Sequence, residues 1–167
     1  MNRLLFSVLL AAACCSRATA QGALDSVVLE RTPCYGTCPA YRLTILRGGA
    51  LRFQSRNRGD DTIIVRDSVN PLVLEVIAQR AASIGFANFP ASIAADRALC
   101  SDSATDHPTI VIGLFGSRSK RVEYYTGCYI VCCNHVADES LQRLAQFASE
   151  IDTLTRSRRW VRPGRTR

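Results

Sequence analysis

The sequence has no G-x-S-x-G elbow, no H-E-x-x-H pair and no glycine-rich phosphate loop. The commonest serine-hydrolase, zinc-hydrolase and nucleotide-binding chemistries therefore have no motif to rest on. There is no internal repeat, which excludes a solenoid, and no low-complexity stretch ahead of the C-terminal tail. Past the N-terminus no segment is apolar enough, for long enough, to cross a bilayer, which takes roughly 20 residues. Leu4 to Cys15 is apolar but too short to span.

What is there at the N-terminus reads as a cleavable signal peptide from Met1 to Ala20. Asn2 and Arg3 give a short positive start, the apolar run follows, and Ala18-Thr19-Ala20 supplies the small-x-small pattern before Gln21. A buried N-terminal helix would need an amphipathic period, and none runs through the segment. Lipidation at Cys14 is a weaker alternative, because Ala11 stands where leucine is preferred. The expectation is export, to the periplasm or outside the cell.

The formal net charge of +7 is unevenly placed. Arg3 and Arg17 leave with the signal peptide. Arg156, Arg158, Arg159, Arg162, Arg165 and Arg167 crowd the C-terminus with no acid among them. Between Gln21 and Thr155, thirteen basic residues face fourteen acidic ones. The body is near neutral and its basicity belongs to a tail, expected as a disordered end over 162–167. Such a tail could touch an anionic surface of the cell envelope, whereas a nucleic-acid partner is not expected. Trp160 is the residue near this end expected to dock on the domain, which is read as one unit over 21–161.

Within that unit Val27-Val28-Leu29 opens a first strand. Tyr41, Leu43 and Ile45 alternate with polar residues, Gly48-Gly49 turns the chain, and Leu51-Arg52-Phe53 returns, a strong hairpin signal. Thr62 to Val65 reads as a further strand. Asn70 and Pro71 then open a helix with Leu72, Val73, Val76, Ile77, Ala81 and Ile84 as its apolar stripe, ended by Gly85. A loop from Phe89 to His107 is long enough to suggest a working surface. Two strands, Thr109 to Phe115 and Arg121 to Tyr125, precede a last helix begun by Asp138, with Leu141, Leu144, Ala148, Ile151 and Leu154 on one face. The β-β-β-β-α-β-β-α order predicts an α+β fold, a mainly antiparallel sheet of about six strands covered by two helices.

Six cysteines follow the signal peptide, and in an exported chain disulfides are the default. Of the fifteen pairings, Cys34 with Cys38 and Cys100 with Cys128 are the most attractive. In the chain-entropy account the first closes a short loop worth about 2 kcal/mol and the second a longer one worth about 3.5 kcal/mol. Cys132 and Cys133 are then unassigned, and a rival set joins Cys128 to Cys132 and Cys100 to Cys133. Copper handling by the C-x-x-x-C-P turn, completed by His107 or His135, would need a following helix to activate the thiol, and a hairpin follows instead. Zinc has enough ligands in the same residues but less typical spacing and compartment. Asp106 and His107, with Asp102 nearby, are weak candidates for acid–base work, since an Asp before His-Pro more often anchors a turn. Arg58-Gly59-Asp60 is too short a motif to carry meaning.

Arg31-x-x-Cys34-Tyr35-Gly36-Thr37-Cys38-Pro39-x-Tyr41, followed by a hairpin with paired glycines, resembles a bacterial family known as domain of unknown function sixty-four thirty-eight. The likeness continues through Thr105-Asp106-x-Pro108, Tyr124-Tyr125-Thr126-Gly127-Cys128, Ile151-Asp152 and Trp160, covering nearly all of residues 25 to 161. It implies export and brings no reaction, substrate or cofactor. The adjacent Cys132-Cys133 pair departs from the pattern and leaves the bridges of that loop open. The favoured expectation is a non-catalytic exported binding or structural module without a cofactor, with the long loop and the first cysteine turn as contact surface and a protein or envelope component as partner. The alternative is an uncharacterised enzyme or a thiol, copper or zinc protein built on Asp106, His107 and the cysteines.

Overall fold

Alternation sets the strands, and a change of period sets the helices. In the computed structural model, which describes residues 23–55, 62–131 and 138–161, the chain forms β1 (Leu24–Arg31), β2 (Tyr41–Leu46), β3 (Ala50–Ser55) and β4 (Ile64–Ser68), then α1 (Leu72–Ser83). A two-residue β5 (Asp102–Ser103), the long β6 (Thr109–Gly116), β7 (Lys120–Tyr125), a two-residue β8 (Cys128–Tyr129) and α2 (Glu139–Thr155) follow. Six strands make one antiparallel sheet in the order β4-β3-β2-β1-β6-β7, and β5 pairs with β8 as a separate ribbon. This is the α+β architecture expected, and the first of the described strands, β1, lies inside the sheet.

Odd positions of β1 and β2, namely Val27, Leu29, Leu43 and Ile45, point to one face and are fully or almost fully buried. Phe53, Ile112, Leu114 and Val122 extend that face across the sheet, and residues of α1 and α2 complete the same core. Phe86, just after α1, meets Phe147 of α2 edge-on at 5.8 Å between ring centroids, a geometry aromatic rings favour. Trp160 docks as expected, its ring 5.4 Å from that of Phe53.

The buried arc of α1 is shifted from the expected stripe, whereas α2 buries its stripe at Leu141, Leu144, Ala148 and Ile151 and widens it. Leu74, Ile77 and Ala81 are the buried positions of α1, while Leu72 and Val76 are exposed. At roughly 100° per residue Val76 lies almost opposite Leu74, so the two cannot share a face. In α2, Phe147, Asp152 and Thr155 join the buried face and Leu154 lies at its margin. The helix starts behave as read: Asn70 Oδ1 accepts the Leu72 N–H at 2.9 Å, and Asp138 Oδ1 accepts that of Ser140 at 2.7 Å. The 89–107 loop is more ordered than its composition suggests. Ile93 is buried within it, and the Glu123 N–H donates to the Ala91 carbonyl, so the loop covers the outer edge of β7.

Gly48 and Gly49 both take left-handed conformations, with φ of 89° and 88°. They differ in surroundings. A Cβ on Gly48 would meet nothing within 4 Å, whereas one on Gly49 would lie 2.1 Å from the Val69 carbonyl oxygen. That segment is held in place because the Val69 N–H donates to the Gly49 carbonyl at 2.9 Å. Gly48→Ala should therefore lose about 1 kcal/mol, the strain of the backbone alone, and Gly49→Ala distinctly more. Chemical denaturation of the two variants compares them, and equal losses would show that the hairpin is not pinned against the start of α1.

Candidate functional site

After Val27 and Leu29, the next core-facing position of β1 is Arg31. Register sets it between Tyr41 on β2 and Ile110 on β6. A guanidinium on an apolar face must be paired or it costs several kcal/mol. The partner comes from α2, where Asp152 is 2 % exposed. Asp152 Oδ2 accepts from Arg31 Nε at 3.2 Å and Nη2 at 2.9 Å. Its Oδ1 accepts from the Tyr41 hydroxyl at 2.5 Å and the Ser157 hydroxyl at 2.5 Å. The Tyr41 oxygen in turn accepts from Arg31 Nε at 2.9 Å.

Ser157 reaches Asp152 because Arg156 ends α2 in the left-handed conformation, φ 53°, and turns the chain back in a short helical turn over Ser157–Trp160. Burial, and then the Asp152 charge, push the Tyr41 hydroxyl well above the ordinary tyrosine range, with Arg31 opposing. Burial works against the charge on Arg31, but Tyr41 and Asp152 outweigh it, so its guanidinium holds its proton more tightly than usual. The network thus consists of a fixed cation, a paired carboxylate and a hydroxyl that does not ionise near neutrality.

A cavity of about 480 Å³ opens beside this network. Cys38 and Pro39 of the cysteine turn form one wall, Pro108 and Ile110 another, and Ser149 with Val161 the side contributed by α2 and the segment after it. The cysteine turn is closed by the Cys34–Cys38 disulfide, with Cα atoms 5.5 Å apart. It is laced to the segment before β6: the Tyr35 N–H donates to the Asp106 carbonyl at 3.3 Å, and the Thr109 N–H to Thr32 Oγ1 at 2.8 Å. Two loops distant in sequence are thereby held together at one rim.

Asp106 and His107 lie on that rim, exposed, and line no part of the cavity. Asp106 has a left-handed backbone, φ 67°, and its carboxylate accepts from the Thr105 hydroxyl at 3.2 Å. The His107 N–H donates to the Tyr125 hydroxyl, and its ring stands edge-on to Tyr125 with centroids 6.5 Å apart. No hydrogen bond joins the Asp106 carboxylate to the His107 ring, the relay that acid–base catalysis by the pair would use. Asp102 instead accepts from the Tyr129 hydroxyl at 3.2 Å. A second disulfide joins Cys100 and Cys128, Cα atoms 5.0 Å apart, and fastens the β5–β8 ribbon.

Cys132, Cys133 and His135 lie outside the described residues, as do the 1–20 segment with Cys14, the Arg58-Gly59-Asp60 tripeptide and the 162–167 tail. Among the described residues no group of three or more His, Cys, Asp or Glu could hold a metal ion. No described helix is long and apolar enough to cross a membrane. Arg31, Tyr41 and Asp152 stand in the sequence only as parts of a motif, without a role. The available signal was a charged residue on each of two otherwise apolar stripes, one on β1 and one on α2. Ser149 and Arg158 carried no such signal.

Fold and site together define an α+β domain with a cavity set against a buried polar network whose carboxylate is fully engaged. The chain belongs to the family described as Domain of unknown function (DUF6438), whose model matches residues 25–155. A comparison with curated proteins found no match.

Because native Tyr41 keeps its proton above the ordinary value of 10.0, the unfolded chain binds fewer protons than the native one once pH exceeds that value. Stability is then fully present below pH 10 and falls as pH rises further. Burial raises Tyr124 as well and adds to the slope. Tyr41→Phe should cost about 1–3 kcal/mol at neutral pH and flatten the alkaline loss. Asp152→Ala, which strands Arg31, should cost about 3–5 kcal/mol. Urea titrations at pH 7 and above pH 10 measure both, and an unchanged alkaline slope in Tyr41→Phe would assign the sensitivity to other groups.

Proposed function

We propose that this chain is an exported, disulfide-stapled binding module whose ligand site is the cavity beside the Arg31–Tyr41–Asp152 network. The observation that carries this reading is the saturation of Asp152. Both carboxylate oxygens already accept two hydrogen bonds each from protein donors, so the buried acid of the cavity has no lone pair directed at a substrate. Tyr41, held in its protonated form, offers no base. The site can orient and hold a molecule, and the residues beside it are arranged for recognition.

Export is supported by the signal-like segment ending at Ala20 and by two disulfides, which persist in oxidising compartments. Metal binding by the Cys34–Cys38 pair requires free thiolates, and here its sulfurs are bonded to each other. Without a helix behind the turn, no dipole lowers a thiol pKa at this place.

Mass spectrometry and thiol titration of the purified, processed protein test the reading. A mature N-terminus at Gln21, blocked thiols at Cys34, Cys38, Cys100 and Cys128, and no stoichiometric copper or zinc are the expected results. Reactive low-pKa thiols in the 34–38 turn, or one equivalent of either metal, would overturn it in favour of a thiol or metal protein. Peptide mapping without reduction should find Cys100 linked to Cys128.

A further inference from the structure

The charged side chains lining the cavity are Arg31, Arg158 and Asp152. Asp152 is fully engaged, while the two guanidiniums are not. Arg31 commits Nε and Nη2 to Asp152 and Tyr41, and Nη1 makes no hydrogen bond among the described residues. Arg158 is exposed and has no ion pair or side-chain hydrogen bond among the described residues. Among the described residues, two cations against one anion leave a single uncompensated positive charge in the cavity. A cationic ligand would meet that charge unfavourably, and a guanidinium fork with a free nitrogen suits the geometry of a carboxylate.

The rest of the lining is largely apolar: Pro39, Pro108, Ile110 and Val161, with the Cys38 end of the disulfide. The volume falls in the range of small-molecule sites, where apolar walls supply affinity and a few polar groups fix orientation. A peptide added as an extra strand does not fit here. The strands contributing to the cavity, β1, β2 and β6, are all interior, with neighbours on both sides, so no free main-chain ladder faces it. Recognition must come from side chains.

We infer that the cavity binds a small amphipathic monocarboxylate, its carboxylate held by Arg158 and the free Nη1 of Arg31 and its apolar body against the proline, isoleucine and valine walls. This rests on the reading of the cavity as the binding site and adds the class of ligand. The same chemistry is presented by a medium-chain fatty acid and by a short apolar peptide with a free carboxyl end, so the test includes both. Trp160 is the single tryptophan of the chain and lies between Arg158 and Val161 of the lining, so its fluorescence is the signal to follow, with calorimetry as the independent measure.

The experiment titrates the purified protein with octanoate, N-acetyl-leucyl-leucine, octanamide and acetate, followed by Trp160 fluorescence and by calorimetry. Saturable binding of octanoate or the acylated dipeptide is expected, with octanamide weaker by roughly tenfold or more, the scale of a charge-assisted hydrogen bond, and acetate weaker by at least as much because it lacks the apolar body. Whichever of the two carboxylates binds more tightly identifies the source. Arg158→Ala should weaken the carboxylate roughly tenfold, with Arg158→Lys recovering part of the loss, and neither should change thermal stability, because the Arg158 side chain has no ion pair or hydrogen bond among the described residues. Octanamide binding as tightly as octanoate, or full affinity in Arg158→Ala, would overturn the carboxylate assignment and leave the cavity as a site. If no probe binds at millimolar concentration, or if Ser149→Phe, which narrows the cavity, leaves binding intact, the cavity reading itself fails.

Discussion

An arginine on the inward face of a central strand is the constraint around which this domain is arranged. Arg31 continues a row begun by Val27 and Leu29, and at that depth its charge is tolerable only with a partner in contact. Asp152 supplies it from α2, 121 residues away in the chain. The pairing then dictates other choices. Tyr41 lies opposite Arg31 in the β1–β2 register and bridges both ions, and Ser157 needs the left-handed Arg156 to reach the same carboxylate. Removing either ion leaves the other stranded, so the four residues behave as one unit. Such networks are worth little relative to a well-packed apolar core, but they fix how elements align. Here the network joins α2 to the ends of β1 and β2, beside the cavity.

Much of the architecture was legible because hydrophobic period reports secondary structure directly. The hairpin at Gly48-Gly49, the switch to helical spacing after Asn70 and the final amphipathic run all follow from local pattern. The stripes of the helices were less so. Leu72 and Val76 are apolar yet exposed, and which arc of a helix is buried depends on where the sheet meets it, which the helix's own residues do not encode. Leu154, expected on the buried face of α2, lies at its margin for the same reason.

The site was legible only in fragments. Asp106 and His107 attracted notice because an acid beside an imidazole is chemically suggestive, and the fold uses that segment as a rim instead. The residues that converge on the cavity lie in three stretches, 31–41, 108–110 and 149–161, and nothing local ties them together. A charged residue interrupting an apolar stripe was the trace they left. Arg31 and Asp152 each leave that trace, and only the fold shows that the two answer one another. The cysteine turn illustrates the converse: its sequence hinted at metal chemistry, whereas its place in the fold is a brace that carries Cys38 and Pro39 to the wall.

The position of β1 has a consequence for how the molecule comes into being. The first strand of the domain is an interior one, and its second neighbour is β6, so that Leu29 is paired with Ile112. A chain growing from its N-terminus can form the β1–β2–β3–β4 meander early, but that meander has a bare inner edge until β6 arrives. The ion pair that organises the cavity comes later still, once α2 has been made. Closure of the sheet and completion of the site are therefore late, long-range events, and the topology is one in which order of synthesis and order of assembly run in opposite directions at the strand that matters most.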